Sequence, residues 1–240
     1  MTQLIEPQQP ERKQDARLAA AQLAVERVAQ DCLEQTKYRA ALRRNQGLTL
    51  AEARGAVWFR GLLAQIRREA KEKELSYLPS DELMFLVGSL LADDARALEW
   101  LANGQELTDA PRNLGASLSL LEFAQDREAY DQKLKLPSVP NRRESRFERR
   151  LRMLLDAGLT PDGSGELPFR LRQAARMILS QKDGKVHVHW AQLLHDLYRW
   201  NWENRPAQRD WARSFYGDPR MVDAPAGSIS DSETLAETTE

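Results

Sequence analysis

Apolar side chains recur along most of this chain at spacings of three and four. From Asp15, an N-cap residue type, Leu18, Ala21, Val25, Val28 and Cys32 step along one helical face. Lys37 to Arg44 extends the pattern, directly or after a kink, and Gly47 closes it. Thr49 or Leu50 opens the next helical stretch, through Val57, Trp58, Leu62, Leu63 and Ile66, into a densely charged end at Arg67 to Glu74. Pro79-Ser80 is a start signal, and Leu83, Phe85, Leu86, Val87, Leu90 and Leu91 behind it predict a buried helix. Ala95 to Ala102 is short and stops at Asn103-Gly104. Asn113-Leu-Gly opens Ser117 to Phe123, with Ala124 to Leu134 as its continuation.

Pro137 to Pro140 is the clearest linker. Four compact helical patterns follow it. Arg143 to Ala157 turns Phe147, Leu151, Leu154 and Leu155 inward, and Leu167 to Gln181 does the same with Leu171, Ala174, Ala175 and Ile178. Between them, Thr160 to Gly165 reads as a turn. His189 to Trp202 buries Trp190, Leu193, Leu194, Leu197 and Trp200. Pro206 to Tyr216 begins with a proline at a first-turn position and buries Trp211 and Phe215. The expected organisation is a disordered lead at 1–14, an N-terminal helical lobe at 15–136, a C-terminal helical lobe at 142–216 and a disordered tail at 217–240.

Composition supports an all-α chain with no significant sheet. Leu and Ala number 35 and 30, while the strand-favouring Val and Ile number 8 and 4. The single cysteine, Cys32, makes no internal disulfide and lies on an apolar stripe, so packing explains it better than reactivity. No run of about 18 apolar residues is present, so no membrane span is expected. Met1 to Pro7 lacks the basic-then-apolar pattern of a secretory signal, and a cytoplasmic location is expected.

Charge changes the picture by its distribution. The whole chain is net −1, but residues 142–215 carry 15 basic and 9 acidic side chains, whereas 216–240 carry 1 and 6. Six arginines crowd into 142–152. Arg143, Arg146 and Arg150 share one helical face by spacing, with Arg149 and Arg152 beside them. Arg170, Arg172 and Arg176 lie on the polar side of the next helix, and Arg39, Arg43 and Arg44 form a cluster in the first half. Arginine suits bidentate phosphate contact. Against this stands a solvated face with internal ion pairs, which Glu144 and Glu148 would partly neutralise.

Catalytic and metal signals are poor. There is no P-loop, no dinucleotide fingerprint and no His-Glu-x-x-His. His187 and His189 point to opposite sides of an extended segment, so with His195 they make no convincing metal set. Neither an enzyme nor a cofactor is expected. Trp190, Trp200 and Trp211 sit on apolar stripes and read as core, while Trp202, off its stripe, reads as exposed.

The order of these pieces is itself informative. Ala41-Leu-Arg-Arg44 precedes a glycine, and Asn113-Leu-Gly-Ala-Ser-Leu118 opens a mid-chain helix. Phe147-Glu-Arg-Arg150 leads to Leu154-Leu155, and Leu167 to Leu171-Arg172. Trp190-Ala-Gln-Leu-Leu, Asp196 and Trp200 are followed by Arg209-Asp-Trp-Ala-Arg-Ser-Phe-Tyr216. From about residue 25 to 217 the chain resembles the CasB family, the small subunit of the type I-E CRISPR surveillance complex Cascade. That resemblance implies an all-helical, non-catalytic protein present in two copies, so a second copy of itself is one partner. The others are the backbone subunits, the large subunit, the CRISPR guide RNA and the target DNA. It further implies a basic surface that helps hold the guide–target heteroduplex and the displaced strand of the R-loop without reading sequence, in antiviral defence. The matching basic positions are Arg43, Arg44, Arg149, Arg150 and Arg172. Helical facing adds Arg143, Arg146 and Arg176 to this nucleic-acid-binding set. The alternative reading is a helical protein–protein scaffold that touches no nucleic acid.

Overall fold

A computed structural model describes residues 9–75, 77–105, 111–134, 144–181 and 186–217, with the backbone alone for 9–15. Eleven helices and no strand occur among these residues, so the fold is all-α. In chain order they are α1 (Gln9–Glu34), α2 (Thr36–Arg44), α3 (Val57–Glu72), α4 (Asp81–Leu91), α5 (Ala95–Ala102) and α6 (Leu114–Gln125). Then follow α7 (Arg127–Leu134), α8 (Arg146–Leu155), α9 (Glu166–Leu179), α10 (Trp190–Tyr198) and α11 (Pro206–Tyr216). None of the described helices is long and apolar enough to cross a membrane.

Side-chain oxygens cap four helix starts, of which Ser80 and Asn113 were expected from sequence. Ser80 Oγ accepts from Leu83 N at 3.3 Å, Asp94 Oδ1 from Ala97 N at 3.1 Å, Asn113 Oδ1 from Ala116 N at 3.0 Å and Ser145 Oγ from Glu148 N at 3.0 Å. Several boundaries differ from the sequence reading, among them the end of α10 at Tyr198 rather than Trp202, and three differences have a local cause. Helix α1 begins at Gln9 rather than Asp15, with Pro10 in the first turn, where a missing N–H removes no intrahelical bond. The continuation past Phe123 breaks at Asp126, which becomes the C-cap of α6. The largest difference is at 49–56. Thr49 N donates to Glu52 Oε2 at 2.9 Å and Glu52 N to Thr49 Oγ1 at 3.3 Å, a reciprocal capping box around one turn. That turn does not propagate, because Asn45 takes both backbone groups of Arg54, its Nδ2 donating to the carbonyl at 2.9 Å and its Oδ1 accepting from the N–H at 3.0 Å. The helix proper starts at Val57.

One buried apolar cluster runs from Ala21, Val25 and Val28 of α1 through Phe85 of α4 and Leu118 of α6 to Leu151, Leu171, Trp190 and Trp211. Helices before and after the expected linker therefore share a core. The linker itself, 137–140, lies outside the described residues, as do 1–8 of the lead and 218–240 of the tail. The expected core tryptophans are buried and satisfied. Trp190 Nε1 donates to Asp94 Oδ2 at 3.0 Å, Trp200 Nε1 to the Ala157 carbonyl at 3.1 Å and Trp211 Nε1 to Asp196 Oδ2 at 2.6 Å. Trp202 is 40% exposed, with the Arg17 guanidinium 4.9 Å from its ring centroid.

Helices α6 and α11 meet in a close seam. Small residues on α6 let the α11 backbone come close: Asn113 Nδ2 donates to Ser214 Oγ at 2.8 Å and Ser119 Oγ to the Phe215 carbonyl at 3.1 Å. A Cβ on Gly115 would lie on the Trp211 carbonyl oxygen and 2.7 Å from its carbon, against backbone that cannot rotate away. Gly115→Ala is therefore expected to push the two helices apart and destabilise the protein by ~1–3 kcal/mol, despite alanine's better helix propensity. A urea melt reads the loss, and a variant as stable as the parent would show that the seam yields freely.

Candidate nucleic-acid interface

Seven of the eight arginines singled out above fall in two groups, and Arg143 lies outside the described residues. The first group joins α2 to α9. Arg43 Nε contacts Asp93 Oδ1 at 2.7 Å, and exposed Arg44 lies beside it. Across a shallow cleft of about 590 Å³, lined by both of them with Gln46 and Asp93, stands Arg176 of α9. Gln46 organises this cleft. Its Nε2 donates to the Ser89 carbonyl at 2.8 Å and to Asp93 Oδ2 at 2.7 Å. Its Oε1 accepts from Arg176 Nη2 at 3.2 Å, and its backbone carbonyl from Arg172 Nη1 at 2.8 Å. Gly47, with φ +89°, gives Arg172 its approach, because any Cβ there would collide with the guanidinium.

The second group lies on α8. Arg146 donates to Gln125 Oε1 and packs over the Phe147 ring at 4.6 Å. Arg149 reaches Glu144 at 3.5 Å, a carboxylate that Arg152 holds more closely at 2.9 Å. The Arg152 hydrogen bond draws the Glu144 carboxyl below its ordinary range. Arg150 donates to Gln173 Oε1 on α9. Gln173 lies one turn from Arg176 and adjacent to Arg172, so this contact joins the α8 group to the α2–α9 group.

The partners divide the arginines by chemistry. Arg43 and Arg149 pair with carboxylates, as the solvated-face reading requires. Arg146, Arg150, Arg172 and Arg176 are held by side-chain amides or a backbone carbonyl, and Arg44 has no carboxylate within ion-pair distance among the described residues. An amide oxygen orients a guanidinium without cancelling its charge. Five cations therefore remain electrostatically open along α8, α9 and the end of α2, where a polyanion can meet them.

Other basic residues have different roles. Arg39 Nε donates to the Ala92 carbonyl at 3.0 Å and ties α2 to the end of α4, while Arg170 pairs with Glu166 within α9. Of the two glutamates read as neutralising, Glu148 is buried and accepts from Tyr216 Oη at 2.8 Å, and Glu144 meets Arg149 and Arg152. Sequence reasoning missed Gln46, Gln125 and Gln173, since nothing in a lone glutamine marks it as an arginine's holder; the one signal was Gln46 following Arg43-Arg44. The three histidines are dispersed in role. His187 meets the Trp100 ring edge-on at 5.1 Å, His189 Nδ1 accepts from Gln192 N at 3.2 Å, and His195 is buried. Burial, with Arg199 and Arg17 nearby, pushes the His195 imidazole down to about 4. Burial likewise lifts the Cys32 thiol to about 12, against any thiolate chemistry there.

The family model described as CRISPR-associated protein Cse2 matches residues 38–216. No protein with a curated description matches. Among solved structures, the crystal structure of M. ruber CasB matches with a TM-score of 0.55 and 26% identity, over 83% of this chain and 94% of that one.

Proposed function

The chain belongs to the CRISPR-associated Cse2, or CasB, family, the small subunit of type I-E Cascade, and from that premise we propose that it acts as a non-catalytic, sequence-indifferent holder of nucleic-acid backbone within the complex. Guide RNA and target DNA carry specificity by base pairing, and protein cations tip a near-balanced strand exchange towards the R-loop. The phosphates would run along Arg146 and Arg150 of α8, Arg172 and Arg176 of α9 and Arg44 of α2. Arg43 and Arg149 stand beside that path in their ion pairs, and Arg143 joins it by sequence position. Backbone subunits, the large subunit and a second copy of this chain are the protein partners, in the cytoplasm.

The observation that carries this reading is the choice of holders. Four of the arginines are anchored by neutral oxygens and a fifth lies open beside them, an arrangement that leaves charge available where a purely structural surface would pair it. Affinity of the full chain for single-stranded DNA, measured at four salt concentrations, should fall linearly on a double-logarithmic plot. Two unrelated sequences should give the same line, because phosphate contacts carry no sequence information. Absence of binding at low salt would favour the protein–protein scaffold; a marked preference for one sequence would favour a free-standing regulator.

A further inference from the structure

One aromatic ring stands on the same stripe of α9 as the open arginines. Phe169, Arg172, Gln173 and Arg176 follow each other at i, i+3, i+4 and i+7, which places them on one helical face. Phe169 is 45% exposed, while the core contacts of α9 are made by Leu167, Leu171, Ala174, Ala175 and Ile178. The ring is therefore spare as far as packing is concerned. Arg170 and Arg172 place their guanidinium carbons 5.7 Å from its centroid, near the outer limit of a cation–π contact. At that distance Phe169 still leaves nearly half of its surface to solvent. Arg172 is fixed to the Gln46 carbonyl, and Arg176 to the Gln46 side chain, so the two cations on the ring's stripe are held in one arrangement.

The geometry points to Phe169 as a stacking platform for an unpaired base, on a strand whose phosphates lie over Arg172 and Arg176. A base in a duplex already has stacking neighbours on both faces, so such a platform adds affinity only for single strands. The idea rests on the nucleic-acid reading above and narrows it, since the α9 face would then prefer the unpaired strand to the heteroduplex. Charge complementarity decides the occupant, because an apolar ring on the same stripe as Arg172 and Arg176, both held by neutral oxygens, suits a base attached to phosphates better than an apolar protein surface.

The test compares the full-length protein with Phe169→Ala and Phe169→Trp on three probes: oligothymidylate, an abasic strand of equal length, and a duplex. The parent should bind oligothymidylate more tightly than the abasic strand. Phe169→Ala should lose roughly 5- to 20-fold on oligothymidylate, at the lower end of base–aromatic stacking for a half-exposed ring. It should leave the other two probes and the salt slope unchanged, and Phe169→Trp should restore the loss. An unchanged thymidylate-to-abasic ratio overturns the inference while leaving the backbone-holding reading intact. Equal weakening on all three probes would assign Phe169 to positioning Arg172 and also overturn it, as would failure of Phe169→Ala to assemble with the other subunits. If the parent binds none of the probes in a salt-dependent way, the broader reading falls first.

Discussion

Replacing Glu122 with alanine is expected to lower the stability of the protein by about 3–5 kcal/mol, the usual cost of stranding one member of a buried ion pair. Glu122 Oε2 lies 2.6 Å from Lys133 Nζ, and the two side chains are 1% and 0% exposed. The ammonium also donates to Ser119 Oγ at 2.9 Å and faces the rings of Phe215 at 3.9 Å and Tyr130 at 4.7 Å. Without the carboxylate the ammonium loses the counter-ion beside it while its side chain stays fully buried. Glu122 Oε1 in turn accepts from Ser145 Oγ, the hydroxyl that caps α8. The same substitution therefore loosens the start of the helix that presents Arg146, Arg149 and Arg150. Glu122→Leu combined with Lys133→Met should recover to within ~1 kcal/mol of the parent, since the removal of both charges leaves neither stranded. Urea denaturation of the three proteins measures both steps. A single variant as stable as the parent would mean that the pair is solvated, contrary to its burial.

That pair also shows where sequence reading stops. Lys133 falls in a polar stretch, Arg127 to Leu134, which has no apolar stripe to mark an inward face. Its burial follows from α7 folding back on α6 after the break at Asp126, a tertiary event with no local signal. Caps behave in the opposite way. Ser80, Asn113 and Pro206 act within one turn of themselves, so α4, α6 and α11 were legible at their starts. The capping box at Thr49 is equally local and equally real, yet it opened no helix. Asn45, four residues earlier, diverts the chain at Arg54, and that competition depends on the path of the whole loop.

The family resemblance was legible for a related reason. Asn113 to Leu118 and Arg209 to Tyr216 contain Gly115, Ser214 and Phe215, which build the α6–α11 seam, where backbones touch and substitutions are costly. These motif residues identify the fold. The arginines are readable as a cluster because helical spacing gathers them. Which of them meet a carboxylate was readable for the nearby Glu144 alone; for the others it depends on whether a glutamine or a carboxylate distant in sequence meets each one.

That division yields the sharpest functional expectation. Arg150→Ala combined with Arg176→Ala removes two amide-held cations, one from each end of the Gln173 junction. Folding should survive. Leu151 and Leu154 still anchor α8, Leu171 and Ile178 still anchor α9, and Gln46 keeps its bonds to Ser89 and Asp93. Each arginine that neutralises a phosphate releases condensed counterions, at ~0.7 units of salt slope per contact on a single strand. The double variant should therefore flatten the slope of log affinity against log salt by about 1.4. Target binding by the assembled, guide-loaded complex should weaken roughly 10- to 100-fold, at ~1 kcal/mol or slightly more for each exposed charge-assisted contact. The loss should be the same for unrelated targets, with guides to match. The control is Arg43→Ala combined with Arg149→Ala, which removes cations already paired with Asp93 and Glu144 and should change the slope by less than about 0.7. Size exclusion reports assembly, and titrations at four salt concentrations report the slopes. A double variant that assembles and binds with unaltered affinity and slope would take α8 and α9 out of the nucleic-acid path. One that fails to assemble while folding normally would show that these cations meet protein carboxylates instead.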